Sequence, residues 1–252
     1  MKITDPQGDR LLQIAARGEE SILRDYRARH RQGEPAAYIA GFLIFRGRRF
    51  AVDSRAYVTD PELTHLLEQV LREGDRLERT LQRPPRLAEF GIGAGTLAIT
   101  IALERPHWSL TGLEIDVQAL ALAAENAQSH QVRLRLWESD FLSGWPSAEE
   151  PPDLLYGDPP WGTEHDLYDE ERDHTYYQHM PYHSVFPSGN SRTGMHEKLV
   201  AEVVRSSWGT LLLLNCGILP PDEIQRFAEP LSNYRIIEPE PNLRLLRGVA
   251  VE

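Results

Sequence analysis

Tyr156-Gly157-Asp158-Pro159-Pro160-Trp161 follows the apolar pair Leu154-Leu155. An acidic side chain that accepts hydrogen bonds, two prolines that remove backbone donors and restrict φ, and a flat aromatic make a rigid cup. Such a cup suits a planar nitrogen group, so Asp158, Pro159, Pro160 and Trp161 form the candidate catalytic stretch for chemistry on nitrogen. Upstream stands Glu89-Phe90-Gly91-Ile92-Gly93-Ala94-Gly95. Gly91, Gly93 and Gly95 would let the backbone turn tightly and approach a ligand, as at nucleotide-bearing cofactors. Thr96 occupies a position where a dinucleotide site prefers glycine, and a plain strand-to-helix turn without ligand is the competing reading. Glu114 lies 23 positions after Gly91, where a carboxylate takes both hydroxyls of a ribose. Asp116 competes for that role or caps the next helix. Asp140 either accepts from an adenine amino group or is a turn residue.

These residues work together only if their turns leave neighbouring strands at one edge of a parallel sheet. From Arg86 the pattern is strand, glycine turn, helix, repeated: strand Leu87 to Phe90, helix Thr96 to Glu104, strand Ser109 to Glu114, helix Val117 to Ser129. Strands at Val132 to Trp137 and Asp153 to Tyr156 continue the alternation. The fold class is therefore α/β, a doubly wound, mainly parallel, Rossmann-like sheet with a small N-terminal helical segment and a β-hairpin. Residues 162–193 exceed the usual connection length and read as a functional lid or a partly disordered segment. A helix from Met195 to Ser206, with Thr193 as a candidate cap, a strand Thr210 to Asn215, a helix opened by Pro220-Pro221-Asp222, and strands Arg235 to Glu238 and Leu243 to Val251 complete the chain.

Upstream of the sheet, 1–32 read as a short helical segment of one or two helices interrupted at Gly18. Residues 33–85 read as a hairpin and a linker helix. Tyr38 to Phe45 and Arg48 to Val52 are the hairpin strands, turning at Arg46-Gly47, and Asp60-Pro61 is the start signal of the helix. Residues 86–252 are the cofactor-holding domain.

The formal net charge is −11, yet residues 1–50 carry ten Lys/Arg against six Asp/Glu, leaving about −15 on the remainder. Glu149, Glu150, Asp153, Asp158, Glu164, Asp166, Asp169, Glu170 and Glu171 crowd one stretch and would repel a phosphate backbone, which disfavours a nucleic-acid partner. No apolar run approaches the ~20 residues of a membrane span, and the first residues lack the apolar core of a signal peptide, so a cytoplasmic protein is expected. The single Cys216 sits in an apolar run and reads as a packing residue. His179 and His183 have the spacing of helical metal ligands, but Pro181 separates them and no cysteine assists, so no metal site is expected.

The order of glycine turn, two acidic strand ends and an Asp-Pro-Pro-Trp turn resembles the class I S-adenosylmethionine-dependent methyltransferases. Asp158 to Trp161 resembles the Asn/Asp-Pro-Pro-aromatic motif of enzymes that methylate amino or amide nitrogens. Gly33-Glu34-Pro35-Ala36-Ala37-Tyr38-Ile39-Ala40-Gly41, with Phe45, Phe50-Ala51-Val52, Asp60-Pro61-Glu62, and Glu114 through Ala119-Leu120 to Asn126, is similar to the HemK-type glutamine methyltransferases. The resemblance implies S-adenosylmethionine as cofactor, bound at Glu89, Gly91, Gly93, Gly95, Glu114, Ile115, Asp140, Phe141 and Asp158. It implies a protein substrate, the glutamine of a Gly-Gly-Gln loop in a release factor. The chain departs from that family in having Asp158 for asparagine and Trp161 for tyrosine. Thr59-Asp60-Pro61-Glu62-Leu63-Thr64 replaces Pro-Arg-Pro-Glu-Thr-Glu, and the segment before Gly33 is short. An acceptor-only Asp158 fits an NH2 or a cationic nitrogen. The alternatives are therefore a small amine, guanidine or amide metabolite, an adenine amino group of DNA or RNA, and a non-catalytic cofactor-binding subunit.

Overall fold

A computed structural model describes residues 5–168, 172–187, 191–241 and 243–249. The acidic positions Asp169, Glu170 and Glu171, and the last residues of the final strand expectation, lie outside them. Two N-terminal helices form, α1 (Pro6–Ala16) and α2 (Glu20–Arg31). Asp5 caps α1 by accepting from the Gly8 amide at 2.8 Å, and Pro6 opens its first turn. The chain leaves α1 through Arg17 in a left-handed conformation followed by Gly18, which separates the two helices.

The expected first hairpin strand is shorter at its start. Residues Ala36–Ala40 form a helical turn, α3, and only then come β1 (Phe42–Phe45) and β2 (Arg48–Ala51). Pro35 accepts from the amides of Tyr38 and Ile39, Gly41 ends the turn at φ 74°, and Ala36 and Ile39 pack on Leu12. Docking on α1 decides for helix over the strand suggested by Tyr38 and Ile39. The linker helix α4 spans Leu63–Leu81 and starts after the predicted Asp60-Pro61 signal. Asp60 does not cap it; it accepts from the Tyr57 hydroxyl at 3.1 Å and pairs with Arg172 at 2.6 Å.

The sheet elements then follow in order: β3 (Arg86–Phe90), α5 (Thr96–Glu104), β4 (Ser109–Glu114), α6 (Val117–Ser129), β5 (Arg135–Glu138) and β6 (Leu154–Gly157). The long segment holds three short helices, α7 (Glu164–Leu167), α8 (His174–Tyr177) and α9 (Tyr182–Val185). After it come α10 (Gly194–Ser206), β7 (Leu211–Asn215), α11 (Pro221–Ala228), β8 (Ser232–Glu240) and β9 (Leu243–Val249). Strand order is β5-β4-β3-β6-β7-β9-β8; the first five are parallel and β9 runs antiparallel to both neighbours. Side chains alternate between two cores. Leu87, Leu154, Tyr156, Leu211 and Leu213 pack with α4 and α5, whereas Ala88, Phe90, Leu155, Leu212 and Leu214 pack with α10 and α11.

Asn126 is one of the side chains that tie the hairpin to the sheet domain. Asn126 of α6 accepts from the Ala51 amide at 2.8 Å and donates to the carbonyls of Ala51 at 2.9 Å and Ala94 at 2.8 Å. Ala94 belongs to the glycine turn, so Asn126 couples the hairpin to that turn. Replacing the buried Asn126 with alanine strands the buried Ala94 carbonyl and removes two half-buried bonds to Ala51, and is expected to destabilise the fold by ~1–3 kcal/mol. Urea unfolding of the variant, with its midpoint falling at constant slope, checks this.

Candidate cofactor and substrate site

Register brings the two chemical stretches together. In the β3–β6 pair, Phe90 lies opposite Gly157, so the glycine turn and Asp158 leave adjacent strands at the same sheet edge. They line one cavity of about 1470 Å³, larger than the ~300–1,000 Å³ typical of small-molecule pockets and roomy enough for a nucleoside beside a substrate side chain.

Gly91 and Gly93 hold φ of 63° and 52°, and an added Cβ would meet nothing within 4 Å at Gly91 and only Ala56, at 3.9 Å, as side chain at Gly93. The open side of the turn is therefore free for a ligand to approach its backbone. Gly95 does not line the cavity; a Cβ there would sit 3.0 Å from Ile99 and 3.3 Å from Ala123, so this glycine serves the packing of α5 on α6. Glu114 accepts from the amides of Gly93 at 3.1 Å, Ile115 at 2.9 Å and Asp116 at 3.2 Å. Burial raises its carboxyl above the ordinary value; the three amides oppose this, and the Asp116 charge adds to it. Asp116 itself caps α6 through the Gln118 amide at 2.8 Å, the alternative role expected for it. Ile115 is 54% exposed, an apolar side chain at the cavity wall.

Asp140 and Phe141 also line the cavity. Phe141 is buried with φ 54° and stacks near Phe90 at 5.3 Å between centroids. Asp140 is exposed, with Lys198 Nζ at 3.6 Å, and that same ammonium lies 4.0 Å above the Phe141 ring.

Glu89 is enclosed beneath the turn. Its Oε2 accepts from the Ala98 amide at 2.8 Å and the Tyr156 hydroxyl at 3.1 Å, anchoring the start of α5 to β6. Burial pushes its carboxyl up to about 8; the two hydrogen bonds pull the other way, while Asp158 and Glu114 add to the rise. Between the unfolded value of 4.5 and about 8 the folded state holds a proton that the unfolded chain has released, so stability falls as pH rises through that window. Glu89→Gln, permanently neutral, should flatten this dependence. Denaturation at about pH 5.5 and about pH 8.5 is expected to show the natural protein losing a few kcal/mol more than the variant.

At the cup, Asp158 Oδ1 accepts from Asn215 Nδ2 at 2.7 Å. Burial pushes the Asp158 carboxyl up to about 7; Asn215 opposes the shift, and the Asp60 and Glu62 charges reinforce it. Trp161 rests on Gly217: a Cβ there would lie 2.2 Å from the indole, and Gly217 also holds φ 50°. The long segment forms a wall of the cavity rather than open coil over its described residues. Its base is clipped where the Gly162 amide donates to Arg192 O at 3.1 Å and Arg192 bridges Asp166 at 2.8 Å and Glu223 at 3.0 Å. Its middle is held by Arg172 on Asp60 and by Tyr177, Met180, Val185 and Phe186 packed against Tyr38, Tyr57 and Val58. Thr193 precedes α10 but makes no cap bond; its hydroxyl meets Glu197 instead. Asn215, Arg172 and Gly217 were not picked out from the sequence, whereas the stretch from Arg192 to Glu197 reads there either as a helix start or as a segment reaching back over the site. Asn215 and Gly217 follow the end of an apolar strand as Asp158 does, and that shared position is the one signal that pointed to them.

A family model described as the methyltransferase small domain matches residues 66–170. The release factor glutamine methyltransferase of Koribacter versatilis is 28% identical to this chain, over 98% of the chain and 83% of the relative. Over the matched segment the chain is similar to the methyltransferase small domain, and its sheet has the fold of the class I S-adenosylmethionine-dependent methyltransferases. The release factor glutamine methyltransferases of Lactococcus lactis and Bacillus subtilis are each 29% identical, over 74% and 69% of this chain. The chain spans 64% and 60% of the length of those two relatives. Solved structures show the same fold. The hMettl16 catalytic domain in complex with a MAT2A 3′UTR hairpin has a TM-score of 0.59 at 11% identity, covering 91% of this chain and 93% of its own. A methyltransferase from Pyrococcus furiosus has a TM-score of 0.53 at 17% identity, covering 90% and 99%. The terminal β7-β9-β8 arrangement is the antiparallel end typical of the class. S-adenosylmethionine fits the cavity: a glycine turn with an open face, a carboxylate at the end of the next strand and an acidic residue at the third strand end suit its methionine, ribose and adenine parts. Among the described residues no helix is long and apolar enough to cross a membrane.

Proposed function

We propose that this methyltransferase transfers a methyl group to a side-chain amide or amino nitrogen of a protein or peptide, with a release factor glutamine as the leading substrate. The observation that carries this reading is Asp158-Pro159-Pro160-Trp161 opening into the same cavity as the glycine turn, on the adjacent strand. The names of the relatives support the glutamine. On this reading 86–252 hold the cofactor, with 1–32 as helical segment and 33–85 as hairpin and linker helix.

When bound, the cofactor supplies a methyl group activated on a sulfonium that carries its own leaving group. The protein's residues then have to bind, align and exclude water. Glu114 would accept from the ribose hydroxyls and Asp140 from the adenine amino group, and Ile115 and Phe141 would help hold the cofactor. Asp158 and the Pro159 carbonyl accept from the substrate N–H groups, which draws the nitrogen lone pair out of conjugation and towards the methyl carbon. The proton that the nitrogen gives up passes to the Asp158 carboxylate, whose position near pH 7 suits both accepting and releasing it. Pro160 keeps the turn rigid and Trp161 closes the side of the cup.

Methyl transfer from isotope-labelled S-adenosylmethionine into a lysate, separated into protein, nucleic-acid and small-molecule fractions, tests the reading. Label at glutamine in a protein of release-factor size is expected. Label confined to small molecules or to nucleic acid would overturn it.

A further inference from the structure

We propose that Asp158 and Asn215 act as one two-ended reader of a primary carboxamide, with Asn215 supplying the N–H donor that an aspartate lacks. This rests on the nitrogen-methylating reading above and assigns a specificity residue to the same site. The parallel β6–β7 register puts Gly157 opposite Leu214, so the next residues, Asp158 and Asn215, stand side by side where both strands end. Asn215 Nδ2 donates to Asp158 Oδ1 at 2.7 Å. The orientation of the amide is set from its other end, where Asn215 Oδ1 accepts from the Gly217 amide at 3.2 Å. A flipped amide would face Gly217 with a donor against a donor, so the NH2 group must point to Asp158.

The backbone beneath is held as well. The Asn215 carbonyl lies 2.8 Å from Nε2 of His196, which is wholly buried against Phe227. A carbonyl can only accept, so His196 carries its proton on Nε2 and donates. Asn215 is 7% exposed and lines the cavity. One N–H of its amide is committed to Asp158; the other can meet a ligand in the cavity. Asp158 likewise has Oδ1 engaged and Oδ2 as its second acceptor. The pair thus presents an acceptor and a donor side by side, the complement of the N–H and C=O edge of a primary carboxamide. An alkylammonium group, the form of an amine near neutral pH, offers no acceptor to the Asn215 N–H and leaves it without a partner in an enclosed place.

Two peptides test the pair, a Gly-Gly-Gln loop and the same loop with ornithine, whose side chain matches glutamine in length but has a methylene for the carbonyl. Binding is titrated calorimetrically on the full chain loaded with S-adenosylhomocysteine. The natural protein is expected to favour glutamine by about tenfold or more, and Asn215→Ala to lose about that factor on glutamine while ornithine and S-adenosylhomocysteine change less than about threefold. Asn215→Asp sets two carboxylates together and should bind glutamine poorly. The exchange Asp158→Asn with Asn215→Asp restores a donor and an acceptor at the strand ends and should recover glutamine binding. Undiminished glutamine preference in Asn215→Ala would overturn the proposal, as would an equal loss of both peptides, the mark of a merely structural role. If the natural protein binds neither peptide, the protein-glutamine reading fails by itself. The pair is then judged by the Asn215 side-chain amide resonances in the presence of excess propionamide or propylamine. A shift with propionamide alone supports it, and no shift with propionamide overturns it.

Discussion

Asp158→Ala is expected to lower methyl transfer by ~10²- to 10³-fold while leaving the dissociation constant of S-adenosylhomocysteine within about threefold of the natural protein. The asymmetry follows from position. Asp158 lies at the end of β6 beside Asn215, whereas Glu114, the carboxylate proposed for the ribose, ends β4, which is separated from β6 by β3. On the proposed reading Asp158 serves this chain as a carboxylate acceptor, and burial raises this carboxyl to about 7. Below that value the group is protonated and presents a donor to the substrate nitrogen. The rate should therefore fall about tenfold per pH unit below about 7 and level off above it. Initial rates of label transfer between about pH 5.5 and 8.5 would show this, and Asp158→Asn, which does not titrate, should lose the inflection as well as most of the activity. An unchanged inflection in Asp158→Asn would assign it to another group. A sharp loss of cofactor binding in Asp158→Ala would move the residue from chemistry to cofactor retention. The same raised value affects folding with the sign given for Glu89: between 3.8 and about 7 the folded state holds the extra proton, so stability declines as pH rises through that window.

For Glu114→Ala the expected split is the reverse, with cofactor affinity falling by ~30- to 100-fold and turnover at saturating cofactor close to normal. This side chain does two things at once. It would accept from the ribose diol, with charge-assisted bonds worth ~1.5–3 kcal/mol each, and it organises the turn that receives the rest of the cofactor. The Gly93, Ile115 and Asp116 amides all donate to it, so alanine leaves three N–H groups to find water or another acceptor. Glu114→Gln keeps the shape but turns an NH2 group towards amide donors, and should also weaken binding, by about tenfold. Calorimetric titration with S-adenosylhomocysteine measures the affinity, and rates at rising cofactor concentration separate it from turnover. A variant that binds normally but turns over slowly would show that Glu114 does not hold the ribose.

The cofactor half of the site was legible because it is built from local rules. A strand that ends in spaced glycines, and a carboxylate at the end of the following strand, are periodicities that hold wherever a parallel sheet forms, and Glu114 and Asp140 sit where that pattern places them. Asp158 announced itself in the same way, through two adjacent prolines after an apolar strand. The limits of that reading are physical too. Gly95 belongs to the same glycine pattern as Gly91, yet its open side meets Ile99 and Ala123, and only the docking of α6 on α5 could show it. Tyr38 and Ile39 have strand propensity, but docking of Ala36 and Ile39 on Leu12 makes the segment helical.

The sequence by itself determined the fold class, the cofactor turn and the acidic cup, because hydrophobic period and turn chemistry act over a few residues. Tertiary structure alone decided what surrounds the cup. Asn215 reaches Asp158 across 57 positions, and Arg172 reaches Asp60 across 112. Such pairings depend on strand register and on how a long connection folds back. Periodicity tells which face of a strand is buried, but not which side chain from a distant strand stands next to it.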